Sequence, residues 1–398
     1  MVCHEWAVRQ ETTSFYDPLR RDRTPRRLSH GIGDRVTSHH RYHLDSLART
    51  TSGPSGSMAR RLAPPVLALL VAAVACGRDR PTVDASAAPP PAAAAAPWHD
   101  PSPHAVRFVT VPGGVRIEVL DWGGTGEPLV FLNGLENTGH IFDDFAPRFT
   151  DHFHVLAVTR RGWGASDHPA SGYTIPALVE DVRAVLDSLH LSRVDLVGHS
   201  IAGQELTWLA VEYPARIDRL VYLDAGFDYH GHPFPVDFPN PPPPTAADSA
   251  SVATALAYTR RMSHAAITEG DFRATERFSP TGRDMGAATP QAISDSVYLS
   301  AKGASPPFAR VHGPVLAIFN YPDSVQQLLP WVATADSTSL KWFGPAQGWW
   351  RIQREAFTRA VPQATVIALP GASHYVFLGR PDSVANAMRT FLLAPSPK

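Results

Sequence analysis

The stretch VDLVGHSIAG, residues 194–203, decides the fold of this chain. It begins as a short apolar run of the kind found in strands buried on both faces, and it then passes through a Gly-x-Ser turn. Apolar positions with helical spacing follow over residues 201–211. A serine in such a tight strand-to-helix turn stands clear of the backbone when its neighbours are small. The stretch therefore predicts a buried strand, an accessible Ser200 hydroxyl and a helix, in that order.

Similar apolar runs recur along the chain, separated by stretches with helical spacing. This alternation predicts a mainly parallel sheet wrapped by helices, and the first two runs are close enough to form an antiparallel hairpin. We therefore expect an α/β fold with a mainly parallel eight-stranded sheet flanked by helices. The predicted strands are residues 106–111, 115–121, 129–132, 155–158, 194–197, 220–223, 315–319 and 366–369, and the clearest helices are residues 175–190, 201–211, 247–262 and 382–393.

A long insertion separates two of the predicted strands. About ninety residues lie between residues 223 and 315, far more than one crossover needs. Because parallel sheets bind ligands at the carboxyl ends of their strands, we expect a helical cap over that edge at about residues 227–312. The alternative is a partly disordered loop without substrate contact. The whole domain is expected to span residues 104–398.

The turn at Ser200 resembles that of the α/β-hydrolase superfamily, in particular its capped serine hydrolases of the esterase, lipase and peptidase kinds. Ala202 stands where that family usually has glycine, and Gly203 comes next. The resemblance implies that Ser200 is a nucleophile, the other interpretation being a serine that caps the following helix. A serine here argues against the epoxide hydrolase and haloalkane dehalogenase branches, which carry aspartate at this position.

The resemblance also implies the base and the acid of a catalytic triad. His374, in a Gly-x-x-His pattern after the last predicted strand, is expected to be the base, and His199 only a neighbour of the turn. The acid must orient the imidazole and stabilise its cation. Asp323 follows the penultimate strand and is favoured, although Asn320 replaces a common glycine and about fifty residues separate Asp323 from His374. The alternative acid is Asp224, directly after the strand at residues 220–223.

Two main-chain N–H groups are implied as the oxyanion hole, those of Leu135 and Ile201. Asn133 occupies a position where the family has histidine, which puts the packing of that loop in question. Arg161, in the Gly-rich loop at residues 160–167, is expected to bind nearby carbonyls in a structural role. Three tryptophans in a helical stretch, which could pack in the core or line a substrate pocket, are Trp342, Trp349 and Trp350.

The N-terminal hundred residues differ from the rest. Residues 1–57 predict a disordered or mis-annotated extension, residues 58–76 a secretory signal, and residues 77–103 an Ala/Pro-rich linker. The two cysteines, Cys3 and Cys76, both precede the domain. Cys76 follows the apolar run as in a lipoprotein signal, which predicts an exported, lipid-anchored protein. Ordinary cleavage and an uncleaved anchor are the alternatives.

Together these features predict a metal-free hydrolase without a cofactor that cleaves a small-molecule carboxylic ester, or an amide, by Ser-His-Asp acyl-enzyme catalysis. The alternatives are a cofactor-free oxygenase or peroxidase-like member of the superfamily and a non-catalytic surface binding module. Lys and Arg total 36 against 37 Asp and Glu, so the charge predicts no nucleic-acid partner. The N-terminal segment predicts attachment to a membrane, and the sequence leaves the oligomeric state open.

Overall fold

The computed structural model describes residues 98–235, 240–332 and 337–395. The predicted N-terminal extension, the signal segment with Cys76 and residues 77–97 of the predicted linker lie outside the described residues.

An eight-stranded sheet forms the centre of the domain, with its strands in the order β1-β2-β4-β3-β5-β6-β9-β10. The β1–β2 and β2–β4 pairs are antiparallel, and every other neighbouring pair is parallel. This confirms the predicted α/β fold class. The strands are β1 (Ala105–Val111), β2 (Val115–Gly123), β3 (Pro128–Leu132), β4 (His154–Val158), β5 (Val194–His199), β6 (Ile217–Leu223), β9 (Val315–Tyr321) and β10 (Thr365–Pro370).

Helices flank the sheet, and three of those described lie in the inserted segment. Among the described helices, none combines the length and the apolar character needed to cross a bilayer. They are α1 (Ile175–Ser188), α2 (Ala202–Glu212), α3 (Val252–Ser263), α4 (Glu269–Thr275), α5 (Gln291–Gly303), α6 (Val325–Leu328), α7 (Ser337–Ala360), α8 (Val376–Gly379) and α9 (Pro381–Leu392).

Two apolar layers bury the two faces of the sheet. On one face, Leu178 and Val182 of α1 and Leu206 of α2 join a cluster that includes Leu196 of β5. On the other face, Phe131 of β3 belongs to a second cluster that includes Phe142 from the segment between β3 and β4, Phe377 of α8, and Val384 and Met388 of α9. Because the strands between these layers are buried on both sides, their sequences are apolar without alternation.

The inserted segment, residues 224–314, contains α3, α4, α5 and a two-stranded hairpin of β7 (Glu276–Phe278) and β8 (Asp284–Ala287). Asp271 of α4 is buried and accepts hydrogen bonds from the main-chain N–H and hydroxyl of Thr138 and from the Asn137 amide. Those two residues follow β3, so this part of the inserted segment lies over the edge where the parallel strands end.

Candidate active site

Ser200 lies at the turn between β5 and α2 in a left-handed backbone conformation, with φ of 56°. Such a conformation strains a non-glycine residue and is kept only when its surroundings fix it. A Cβ on Gly198 would lie 2.4 Å from the Leu206 side chain, and a Cβ on Gly203 would lie 1.8 Å from the Ala225 carbonyl oxygen. Close packing therefore requires glycine at Gly198 and Gly203, whereas the buried Ala202 keeps its methyl group at the position where the family usually has glycine.

His374 lies in the loop between β10 and α8 and faces Ser200. Its Nε2 is 2.8 Å from the Ser200 Oγ, and its Nδ1 is 2.6 Å from Oδ2 of Asp224. Because a carboxylate can only accept, the Nδ1–H of His374 donates to Asp224 and its Nε2 accepts the proton of the serine hydroxyl. The arrangement can take a proton from the hydroxyl and stabilise the resulting imidazolium.

The acid beside His374 is Asp224, the alternative of the sequence analysis, so the preference for Asp323 is corrected. The Asp323 carboxylate accepts instead from the Gln327 side chain in an exposed turn. The physical reason is the position of each carboxylate. Asp224 directly follows β6 and is fully buried beside the His374 ring, whereas the exposed Asp323 lies beyond the end of β9 and its side chain faces Gln327.

Asp224 is fully buried, and burial raises the pKa of its carboxyl group while hydrogen bonds from His374, the Asn320 main chain and Trp350 act in the opposite direction. Its Oδ1 accepts from the Asn320 N–H at 3.0 Å. Each oxygen of the carboxylate is thus held by a different donor, and this fixes the oxygen that faces His374.

His199 packs beside His374, with 4.7 Å between the ring centroids. Its Nε2 donates to the main-chain carbonyl of His374 at 3.1 Å. Burial lowers the pKa of this imidazole well below its usual value, so the ring is neutral. His199 therefore supports the His374 loop and does not contact the serine hydroxyl through that nitrogen, in line with the role expected for it.

The loop after β3 passes directly beside the turn at Ser200. A Cβ on Gly134 would lie 3.3 Å from the Ser200 Cβ and 2.7 Å from the His199 Nδ1, so glycine permits the close approach. Within the described part of the chain, neither the Leu135 N–H nor the Ile201 N–H donates to another main-chain carbonyl. Both groups are available to a bound oxyanion.

Asn133 and Arg160 hold that loop. The Asn133 amide donates to the carbonyls of Gly134 and Asn137, and the Arg160 guanidinium donates to the carbonyls of Asn133 and Gly134 at 2.8 and 3.1 Å. Arg160 also pairs with the buried Glu205 at 2.7 Å. The carbonyl-binding role expected of Arg161 thus falls to its neighbour, while Arg161 pairs with Asp181 of α1.

Tyr229, in the inserted segment just after β6, is a residue that the sequence analysis missed. Burial raises the pKa of its phenol, so the phenol stays protonated, while the neighbouring Ser200 side chain acts on that pKa in the opposite direction. The phenol is therefore a polar group beside the proposed nucleophile. No sequence motif around Tyr229 would identify this tyrosine as part of the site.

The tryptophans of α7 are buried and pack with other aromatic side chains. Trp349 lies 5.0 Å from Phe227 and from Phe234, measured between ring centroids, and Phe227 in turn stacks near the His374 ring at 6.5 Å. The tryptophans thus belong to the core, and it is Phe227 that extends this aromatic packing to the site.

A cavity of about 260 Å³ lies between the inserted segment and the loop after β3. Asn137 and Tyr375, neighbours of the loops that hold Leu135 and His374, contribute to its wall. Burial raises the pKa of Asp271 to about 6 and that of Glu276 to about 8, and both carboxyl groups line the cavity. Ser200 is not among the lining residues, so this cavity adjoins the site without containing it.

The sequence matches the model of the Alpha/beta hydrolase family over residues 129–387. The 2-(acetamidomethylene)succinate hydrolase of Mesorhizobium japonicum is 30% identical over 101 residues, which are 25% of this chain and 36% of that protein. A non-heme chloroperoxidase of Streptomyces lividans is 33% identical over 120 residues, 29% of this chain and 44% of that protein. The chain thus matches less than half the length of these relatives.

Solved structures agree in fold. That of E-2-(acetamidomethylene)succinate hydrolase has a TM-score of 0.54 at 20% identity, covering 73% of this chain and 100% of the other. That of a bromoperoxidase from Bacillus anthracis has a TM-score of 0.52 at 18% identity, covering 73% and 100%. At these identities the likeness concerns the fold alone.

Proposed function

Because this chain belongs to the alpha/beta hydrolase family, we propose that it is a serine hydrolase that cleaves a carboxylic ester, or an amide, through an acyl-enzyme on Ser200. The observation that carries the proposal is the continuous relay from the Ser200 Oγ to His374 at 2.8 Å and from His374 to Asp224 at 2.6 Å. Nucleophile, base and orienting acid come from three different loops that end β5, β6 and β10.

In the first half-reaction His374 takes the Ser200 proton as the Oγ attacks the carbonyl carbon. The carbonyl oxygen becomes an oxyanion that the N–H groups of Leu135 and Ile201 receive, and a single such donor contributes about 3–4 kcal/mol in a serine protease. His374 then gives the proton to the leaving oxygen or nitrogen. Water repeats the sequence and releases the acid, which restores the Ser200 hydroxyl.

The inserted segment is proposed to act as a cap. Asp271 joins α4 to Asn137 and Thr138, two and three residues beyond Leu135. A substrate group beneath the insertion would therefore be bound next to the oxyanion loop. Export and lipid attachment at Cys76 remain predictions, and they would place the enzyme at a membrane surface. Loss of membrane association in Cys76→Ala would support lipid attachment, and unchanged fractionation would contradict it.

The relatives named as haloperoxidases support a second candidate activity. The same acyl-enzyme could react with hydrogen peroxide in place of water, which would yield a peracid and the free serine. Peroxide-dependent oxidation of bromide in a carboxylate buffer measures that activity. A rate above that of ester hydrolysis would favour it over hydrolysis.

A fluorophosphonate probe tests the proposed nucleophile, since it phosphonylates a serine that a neighbouring base activates. We expect one equivalent on the wild-type chain, none on Ser200→Ala, and one on Ser263→Ala. Ser263→Ala is a suitable matched control because the Ser263 hydroxyl has no hydrogen-bond partner in the described part of the chain, so no base in that part activates it. Folded wild-type protein that stays unlabelled would refute the proposal.

A further inference from the structure

A second cluster of chemically active side chains lies outside the triad. Asp100 and His104 come from the segment just before β1, and His140 and Asp143 come from the helical turn that follows the loop after β3. Each of the four offers one ligand atom, and these atoms all lie within 4.8 Å of one another. The cluster joins two segments that are distant in sequence.

Four separations between imidazole nitrogens and carboxylate oxygens in the cluster lie near those of a tetrahedral metal site. The Nδ1 of His140 is 3.0 Å from an Asp100 oxygen and 3.2 Å from an Asp143 oxygen. The Nε2 of His104 is 3.6 Å from the same Asp100 oxygen and 3.3 Å from the other Asp143 oxygen. Ligand atoms bound tetrahedrally at about 2.0–2.1 Å from Zn²⁺ lie about 3.3–3.4 Å apart.

Buried polar atoms in the cluster lack partners. The His104 side chain is 3% exposed, and neither of its ring nitrogens makes a hydrogen bond within the described part of the chain. The same holds for one oxygen of Asp143, whose side chain is 4% exposed, whereas the Asp100 oxygen of the cluster lies 3.0 Å from the His140 Nδ1. Buried polar groups are normally satisfied, so the unbonded His104 imidazole facing an unbonded Asp143 oxygen points to a ligand between them.

The surroundings leave room for an ion and supply a further acid. A Cβ on Gly270 of α4 would lie 2.4 Å from an Asp143 oxygen and 2.6 Å from an Asp100 oxygen, so the absence of a side chain there keeps the cluster open. Glu118 of β2 is buried and faces the second nitrogen of His140 at 3.8 Å. A carboxylate behind a metal-bound histidine commonly orients the ring and strengthens its binding.

We propose that Asp100, His104, His140 and Asp143 form a structural site for a divalent transition-metal ion of the Zn²⁺ kind. Four protein ligands fill a tetrahedral shell, which leaves no open position for substrate and fits a structural role. The ion would fasten the segment before β1 to the turn that follows the oxyanion loop. The proposed acyl-enzyme chemistry on Ser200 uses no residue of this cluster.

The site would also stabilise the inserted segment. The Thr268 hydroxyl donates to the main-chain carbonyl of the ligand His140 at 2.6 Å, and Gly270 packs on the ligand oxygens. Binding of the ion would therefore stiffen the contact between α4 and the loop after β3. If no ion is bound, a protonated His140 could balance the carboxylate charges of the cluster instead. Burial lowers the pKa of His140, but its carboxylate neighbours outweigh that effect and raise the pKa to about 12.

The experiment uses the full chain, freed of metal with EDTA and returned to a chelator-free buffer. Adding Zn²⁺ at a hundredfold excess over its Kd should raise the midpoint of thermal unfolding by about 4 °C. Co²⁺ bound in place of Zn²⁺ should give the intense visible absorption of a tetrahedral site. Wild-type protein with neither response would overturn the proposal in favour of the protonated histidine.

Variants locate the response within the chain. His104→Gln and Asp143→Asn change the side-chain volume little, and each should abolish both the rise in unfolding midpoint and the Co²⁺ absorption. His152→Gln is the matched control, because that histidine is 49% exposed and lies outside the cluster, and it should respond like the wild type. A response that survives in both His104→Gln and Asp143→Asn would place the metal elsewhere and overturn the proposal.

Discussion

Replacing Asp224 by asparagine tests the acid of the proposed triad, for which the sequence favoured Asp323. The Oδ1 of Asp224 accepts from the Asn320 N–H, while its Oδ2 faces the His374 Nδ1. In Asp224→Asn the new carbonyl must keep the Asn320 bond, so the new amide group points its hydrogens at His374. The Nδ1 then becomes an acceptor, the ring proton moves to Nε2, and Nε2 can no longer take the Ser200 proton.

The expected loss of activity is large because Asp224→Asn removes a negative charge and also leaves His374 in the tautomer that cannot accept the Ser200 proton. The equivalent aspartate-to-asparagine change in a serine protease lowers kcat about 10⁴-fold, or about 5.5 kcal/mol in activation free energy. We expect a loss of about 10³- to 10⁴-fold in kcat for a p-nitrophenyl ester, with a similar fall in the rate of fluorophosphonate labelling. Circular dichroism should show an unchanged fold.

Asp323→Asn is the matched control, since its carboxylate bonds only to the exposed Gln327 side chain among the interactions described. We expect less than about a threefold change, as for most surface substitutions. If Asp323→Asn lost activity while Asp224→Asn stayed within tenfold of the wild type, the assignment of the acid would be refuted.

Three further predictions concern the tyrosine at the site, the protonation of the core and the packing at the turn. Tyr229→Phe removes the phenol hydroxyl beside Ser200, and if that hydroxyl assists the nucleophile, kcat should fall about tenfold with little change in KM; an unchanged kcat would contradict such a role. Burial raises the pKa of Asp195 to about 7, above the unfolded value of about 3.9, so ionisation costs stability increasingly as the pH rises from about 4 to 7. Asp195→Asn should therefore increase the free energy of unfolding by about 2 kcal/mol more at pH 8 than at pH 5, as measured by urea titration, and equal gains would contradict this sign. Gly203→Ala forces a methyl group into a main-chain carbonyl 1.8 Å away and should cost about 2–3 kcal/mol of stability, whereas Ala202→Gly should cost about 1 kcal/mol; similar losses would contradict the packing argument.

The strands could be predicted from the sequence because each is buried on both faces. All eight predicted apolar runs fall within strands of the central sheet, and the structure extends each of them by one to three residues. The order of the strands in the sheet could not be read from such runs, because they do not show which strand neighbours which. The acid could not be identified from the sequence either, since Asp224 and Asp323 each follow a buried strand and only the fold shows which carboxylate reaches His374.

Other parts of the site depend on contacts between segments distant in sequence. Tyr229 lies next to Ser200 only because the inserted segment leaves β6 beside the turn, and no periodic pattern records this placement. Arg160 and Arg161 are adjacent in sequence, and only the fold shows which of them binds the loop carbonyls. For the same reason, the two ligand pairs of the proposed metal site are about forty residues apart and form no contiguous motif.

The central claim is that the Ser200 Oγ, activated through His374, becomes acylated during turnover. The most direct measurement is rapid quenching of the full chain with a p-nitrophenyl ester, followed by peptide mapping by mass spectrometry. We predict an acyl adduct on Ser200 that forms and decays at rates consistent with kcat and is absent from Ser200→Ala. Full ester turnover by Ser200→Ala, or turnover by the wild type with no adduct at any time, would contradict the account.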